Sequence, residues 1–335
     1  MKRKTIYKDV VRDYLIKHPD LPKQTIARLM MKEQPGLFAT LEQARSAVRL
    51  NTGAHGKKNR MEASDKDLFR PLGRSGDDSW KSLMPESWAE PIEPFVLPSS
   101  IKKLLVFSDI HVPFHDINSL TVAIEYGMAE NVDAVLLNGD TLDFYAISDH
   151  EKDPRKINWL GELEASRSVL GMMRKAFPNI PIYFKEGNHE YRLERHLMKH
   201  APILIGMQEF ELPVLLKMGE MGVEYIRNKR IIRAGGLIIG HGDEYRGSGG
   251  VNPARWISLR AGESMLIGHF HRVSEHIDKS ISGSVRGYWS VGCLCELQPA
   301  YLPYNQWSHG FAIVHINNDN TFEVENMKVI EGRVR

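Results

Sequence analysis

Two cysteines, Cys293 and Cys295, are all that this 335-residue chain contains, too few for the disulfide framework that staples small secreted domains. Their i,i+2 spacing on an expected strand puts both side chains on one face without favouring a bridge within that strand. A reduced compartment is expected, with no catalytic role for either thiol. Long apolar runs are also missing. None approaches the roughly 18 to 20 residues that a membrane helix needs, and the basic start Met1-Lys2-Arg3-Lys4 runs into Tyr7-Lys8-Asp9 rather than an apolar signal core. A cytoplasmic protein with no membrane partner is the expectation. Apolar residues make up 42% of the chain, enough for a sizeable core in one large domain plus a smaller one.

The net charge of +2 hides an asymmetry. Residues 1–60 hold fourteen Lys or Arg against five Asp or Glu, a net of +9, which leaves −7 on residues 61–335. A concentrated basic segment raises local affinity for polyanions, and an acidic remainder does not. Tyr7, Val10, Val11, Tyr14 and Leu15 recur at helical spacing, and Ile26, Leu29 and Met30 form a second stripe. A third helix is expected from Thr40, because Thr40-Leu41-Glu42-Gln43 has the form of a capping box. Its face would present Arg45 and Arg49, one turn apart, followed by a tail with Lys57 and Lys58. This small all-α domain resembles a helix-turn-helix module, so DNA or RNA contact through these four residues stands beside a plain protein-interaction role.

Residues 61–100 hold Pro71, Pro85, Pro91, Pro94 and Pro98, which remove backbone donors and read as a linker. Trp80, Trp88 and Phe95 are costly to leave in water, so part of the linker is expected to lie against the following domain. From residue 101, short branched apolar runs alternate with helical stretches at 120–129, 160–177 and 191–200, and antiparallel strands are expected after Gly283. The fold class is α/β, a sheet-on-sheet core flanked by helices.

Five polar motifs follow apolar runs: Asp109-Ile110-His111, Gly139-Asp140-Thr141-Leu142-Asp143, Gly187-Asn188-His189-Glu190, Gly240-His241-Gly242-Asp243 and Gly268-His269-Phe270-His271. Each would sit at the C-terminal end of a strand, the edge where loops of open α/β sheets converge on ligands. Asp, His and Asn supply oxygen and nitrogen donors that suit Mn, Fe, Zn, Co or Ni. In order and type the motifs resemble the calcineurin-like metallophosphoesterase superfamily over residues 104 to about 272, with a sheet tail like the family's beyond; the domain would span 101–335.

The resemblance implies that Asp109, His111 and His271 hold a first divalent metal and Asn188, His241 and His269 a second, with Asp140 bridging. Manganese is the first expectation. Two cations about 3.5 to 4 Å apart need a shared anionic ligand, and a hydroxide between them would attack phosphorus in line. His189 matches the family histidine that faces the leaving group, and Asp143 the acid that orients it, a pairing that fixes the tautomer and raises basicity. Capping of the next helix is the alternative for Asp143. Glu190 either buttresses the site or simply begins a helix. His115 and His309 are the other histidines best placed to line the pocket.

Phe144 follows Asp143 where phosphoprotein phosphatases of the superfamily carry Arg, which weighs against a phosphoprotein substrate. Arg192, Arg195, Arg246 and Arg272 are the candidates for gripping phosphate. The leading reading is a two-metal phosphodiesterase acting on nucleic acid, with a phosphoester substrate and DNA or RNA held by the basic module. The alternatives are a phosphomonoesterase on nucleotides or other small phosphoesters, and a DNA- or protein-binding factor whose phosphoesterase fold is inactive.

Overall fold

The computed structural model describes residues 3–18, 21–52, 84–89 and 91–335, and the chain divides into two compact units at residues 89 and 90. Lys57, Lys58 and Trp80 lie outside the described residues. In the first unit, α1 (Arg3–Lys17), α2 (Lys23–Glu33) and α3 (Leu41–Asn51) close on a core that includes Val11, Leu15, Ile26, Met30, Ala44 and Val48. The capping signal at Thr40 is real but shifted. Thr40 Oγ1 accepts from the Gln43 backbone N–H at 3.3 Å, while the Gln43 side chain takes the N–H of Ala39 rather than that of Thr40.

The second unit is built on two sheets. One has the order β13-β12-β11-β2-β3-β4-β5, in which β2 (Lys103–Phe107), β3 (Ala134–Asn138), β4 (Ile182–Lys185) and β5 (Val223–Ile226) run parallel and the two-residue β13 (Arg333–Val334) forms one edge. β11 (Gly310–Ile316) and β12 (Phe322–Ile330) extend it antiparallel, as expected for the chain after Gly283. The other sheet has the order β1-β6-β7-β8-β10-β9, with β7 (Leu237–Ile239), β8 (Met265–Ile267) and β10 (Val285–Ser290) inside it. β10 pairs antiparallel with β9 (Ser274–Lys279) but parallel with β8.

The pleat divides the core. Leu104, Val106 and Leu136 face the six-stranded sheet, while Leu105, Phe107 and Leu137 pack on the helical side. A strand buried on both faces reads as an unbroken apolar run, which is why β2 and β3 were visible in the sequence. On the helical side lie α4 (Ile117–Ala129) and α5 (Trp159–Ala176). On the far face of the six-stranded sheet, the helix Pro253–Ala261 contributes Ala254 and Ile257 to a smaller core with Met265 and Tyr288.

The expected linker ends before residue 100. Phe95–Val96 forms β1, paired parallel with β6 (Ile232–Ala234), and the Phe95 ring meets Tyr183 at 5.6 Å. Trp88 behaves otherwise: it is 97% exposed. Prolines at 94 and 98 bracket the two residues that pair, so the strand is short where donors are missing. Among the described residues no helix is long and apolar enough to cross a membrane.

Candidate metal centre

All five motifs follow strands, three from the seven-stranded sheet (β2, β3, β4) and two from the six-stranded one (β7, β8). The backbone there is unusual. Asp109, His111, Asp140, His269 and His271 all adopt positive φ, between 49° and 67°, a region that costs a non-glycine residue on the order of 1 kcal/mol or more and persists only where surroundings enforce it. Cross-links between the loops supply the enforcement. The N–H groups of Asp109 and His111 donate to the carbonyls of Gly139 and Asp140 at 3.1 and 3.0 Å, and Gly268 N–H donates to His241 at 2.7 Å.

Two glutamates, Glu190 buried and Glu244 nearly so, complete the clamp. Glu190 accepts from the backbone N–H of Asp140, Gly187 and Leu142 at 2.9, 2.9 and 3.0 Å. Glu244 accepts from His241 and Gly242 at 3.0 and 2.7 Å and pairs with the fully buried Lys185 at 2.7 Å. Burial alone would push Glu244 up, but the Lys185 charge outweighs it and holds the carboxyl at about 2. Space is equally strict. A Cβ on Gly268 would collide with Ser108 Oγ, and one on Gly187 with Asp140.

The donor atoms converge. Asp109 Oδ1 lies 3.1 Å from His271 Nε2 and 3.9 Å from His111 Nε2, and those two nitrogens are 3.1 Å apart. Asp140 Oδ2 lies 4.0 Å from His111 Nε2 on one side and 3.2 Å from His241 Nε2 on the other. Asp140, His241 and His269 form a second convergent cluster. Asp140 is thus common to both halves. The shorter separations, 3.1 and 3.2 Å, suit the edges of a polyhedron with metal–ligand bonds of roughly 2.0–2.2 Å.

The chemistry of the set also fits cations. Asp109 and Asp140 are buried, and among the described residues their ion-pair partners are histidines. Asn188 Oδ1 and His269 Nδ1 are buried with no hydrogen-bond partner, as expected of atoms reserved for a metal. Burial, joined by the charge of His189, lowers His111 to about 4, which favours the neutral imidazole that ligation requires. His241 Nδ1 is 2.8 Å from the Asn138 carbonyl, so donation there leaves Nε2 as its free donor atom.

His189 stands beside this cluster, with Nε2 3.8 Å from Asp140 Oδ2. Arg192 Nη2 approaches that nitrogen at 2.9 Å, and His189 Nδ1 is 2.8 Å from the Asp143 carbonyl. Because arginine can only donate, Nε2 accepts and Nδ1 donates. The Asp143 carboxylate lies nearer His111 Nδ1, at 3.1 Å, than His189 Nδ1, at 3.4 Å. Asp143 therefore orients His189 chiefly through its carbonyl and braces His111 with its side chain. Burial opposes protonation of His189, but the charge of Asp140 and the hydrogen bond to Asp143 outweigh it and raise the pKa.

The arginines separate. Arg192 reaches the site, with Nη1 also on the Asp143 carbonyl at 2.7 Å. Arg195 instead pairs with Asp149, which Lys199 shares at 2.8 Å. Arg272 donates to the Gly250 carbonyl at 3.0 Å, and Arg246 is exposed. In the first unit, Arg45 and Arg49 both face Glu42, at 3.2 and 3.8 Å. His309 is occupied by Ser119 Oγ and the Cys295 carbonyl, at 2.7 and 2.9 Å.

Sequence reasoning did not find Glu244, Cys295 or Trp307. Glu244 lies three residues beyond His241, a local signal. Cys295, free and buried like Cys293, places Sγ 3.9 Å from His271 Nδ1, and the Trp307 ring is 4.1 Å from that of His271. Neither is near a motif in sequence.

A family model described as calcineurin-like phosphoesterase matches residues 102–280. The chain is 29% identical over 250 residues to the Gene 54 protein of Mycobacterium phage L5 and 28% identical over 250 residues to the Gene 54 protein of Mycobacterium phage D29, each alignment covering 69% of this chain and 95% of the relative. Among solved structures, Vps29 from Entamoeba histolytica aligns over 70% of this chain and 96% of its own with TM-score 0.37 and 14% identity. Yfce, a phosphoesterase from E. coli, aligns over 67% and 98% with TM-score 0.32 and 16% identity.

Proposed function

Because the chain belongs to the calcineurin-like phosphoesterase family, with the Asp/His cluster of a metal-dependent phosphoesterase intact, we propose that it hydrolyses phosphodiesters and that its substrate is nucleic acid. Asp109, His111 and His271 would hold one divalent cation, Asn188, His241 and His269 the other, and Asp140 both. Such a pair, manganese first among the candidates, supplies an activated water and a grip on phosphate oxygens.

The chain's own residues do the rest. Asp143, through its carbonyl, holds the Nδ1–H of His189, so in the imidazolium form it is the Nε2 proton that would pass to the departing ester oxygen, leaving His189 as the neutral Nδ1–H imidazole. Arg192, beside Nε2, offers paired N–H donors to a phosphate oxygen and is the arginine best placed to bind it. Glu190 and Glu244 hold the ligand loops, so little reorganisation is needed as charge develops.

The observation that carries the choice of substrate is the charge division, +9 on residues 1–60 against −7 on the remainder. A basic three-helix unit joined to an acidic hydrolase suits a polyanionic substrate. The test is a panel with added Mn²⁺: a bis-aryl phosphodiester, an aryl monoester and linear DNA, compared between the full chain and an Arg45→Glu/Arg49→Glu variant, with DNA binding followed across a salt series. Cleavage of DNA, and affinity that falls as salt rises, support the proposal. Turnover confined to the monoester and indifferent to the double substitution favours the small-molecule phosphomonoesterase, a reading helped by the engagement of both arginines with Glu42.

A further inference from the structure

The metal centre is rimmed by aromatic rings that its ligands do not require. Trp307 stands against His271, and Tyr301, 78% exposed, stands 6.3 Å from Trp307. On the opposite loops Phe114, three residues after His111 and 42% exposed, meets Tyr145, two residues after Asp143, at 6.1 Å. The two pairs belong to one neighbourhood. The Phe114 carbonyl accepts from Glu296 N–H at 2.9 Å, and His115 bridges to Cys295 at the start of the segment that carries Tyr301.

We propose that this aromatic rim is a stacking platform for an unpaired base of a single nucleic-acid strand, so that the phosphodiester next to that base lies over the metal centre. The inference deepens the nucleic-acid reading above and rests on it. A base is one sugar away from its phosphate, so a ligand that gives its phosphate to the metals and Arg192 presents a flat π face at the distance of the rim. In a duplex both faces of each base are covered by neighbours, whereas a splayed single strand exposes them. Stacking of this kind is tolerant of sequence, since every base has such a face.

The test uses the full chain and two single-stranded oligodeoxynucleotides of equal length, one with all its bases and one abasic over its central nucleotides. Steady-state cleavage with Mn²⁺ gives KM, and anisotropy of labelled strands on metal-free protein gives Kd without turnover. The base-bearing strand is expected to be favoured by about 5- to 150-fold, the worth of one stacked base. Tyr301→Leu and Phe114→Leu, both at exposed positions, should collapse that ratio towards one, and Tyr301→Phe should preserve it. Equal KM and Kd for the two strands, or a ratio unmoved by both Leu variants, overturns the platform while leaving nucleic acid as the substrate. If neither strand is cleaved and small chromogenic esters are, the nucleic-acid reading falls and the platform with it.

Discussion

The floor and the rim of the metal centre are built on opposite principles. The floor residues Asp109, Asp140 and His241 are almost wholly buried, and their loops, which include left-handed residues at Asp109, His111 and Asp140, are held by Glu190, Glu244 and cross-loop hydrogen bonds. The rim residues Phe114, Tyr301 and Arg192 are exposed or half-buried on irregular loops and a helix start. A rigid floor fixes donor positions, which ligand chemistry demands. Side chains of a looser rim can change without disturbing that floor.

The sharpest way to break this contrast is at the shared ligand. Asp140→Ala removes the carboxylate common to both halves and should abolish bound metal and activity together, as metal analysis alongside rate assays would show. His189→Ala, one step out from the floor, should keep its metal and slow turnover by about 10²- to 10⁴-fold, the usual worth of a positioned proton donor. Equal metal loss in the two variants would erase the distinction between ligand and proton carrier.

Next in size is the clamp itself. Glu244→Gln leaves Lys185 buried without its counter-charge and should cost about 3–5 kcal/mol of stability at neutral pH, measured by denaturant unfolding. The sign of its pH dependence follows from the depressed pKa. With Glu244 at about 2 in the fold and near 4.3 when unfolded, its stabilising contribution is complete above the higher value. It is then lost as pH falls through that window, a contribution of about 3 kcal/mol. The Gln variant should lack that acid-limb loss.

The opposite sign is expected at Glu162, which burial raises to about 7. Its protonated form is favoured in the fold, so stability should decline as pH rises from about 4.3 to 7. Glu162→Gln should flatten that decline in thermal melts. The smallest effect belongs to the first unit. Arg45→Ala or Arg49→Ala removes only an exposed pair with Glu42, worth about 0–1 kcal/mol, so unfolding curves should barely move.

Much of the floor was legible because its signals are local. β2 and β3 are buried on both faces and read as unbroken apolar runs, and the polar motif after each marks where the strand ends. Thr40 announced α3 because a cap acts over three residues. Arg192 and Arg195 show the limit: one turn apart on α6 (Tyr191–His200), they are equivalent in sequence. Yet only Arg192 meets His189, and Arg195 turns to Asp149. β1 was hidden for a related reason, since two residues among prolines acquire strand geometry only from Ile232 and Arg233, far along the chain.

By itself the sequence determined which residues could bind metal, and that they would emerge at strand ends, because strand periodicity and donor chemistry are properties of short segments. Only the tertiary structure decided that Asp143 braces His111 as well as His189, that Lys185 and Glu244 pin the His241 loop, and that Trp307 comes to stand against His271 with Tyr301 beside it. Those outcomes depend on where two sheets bring their edges together, a packing result of the whole core that no local stretch encodes.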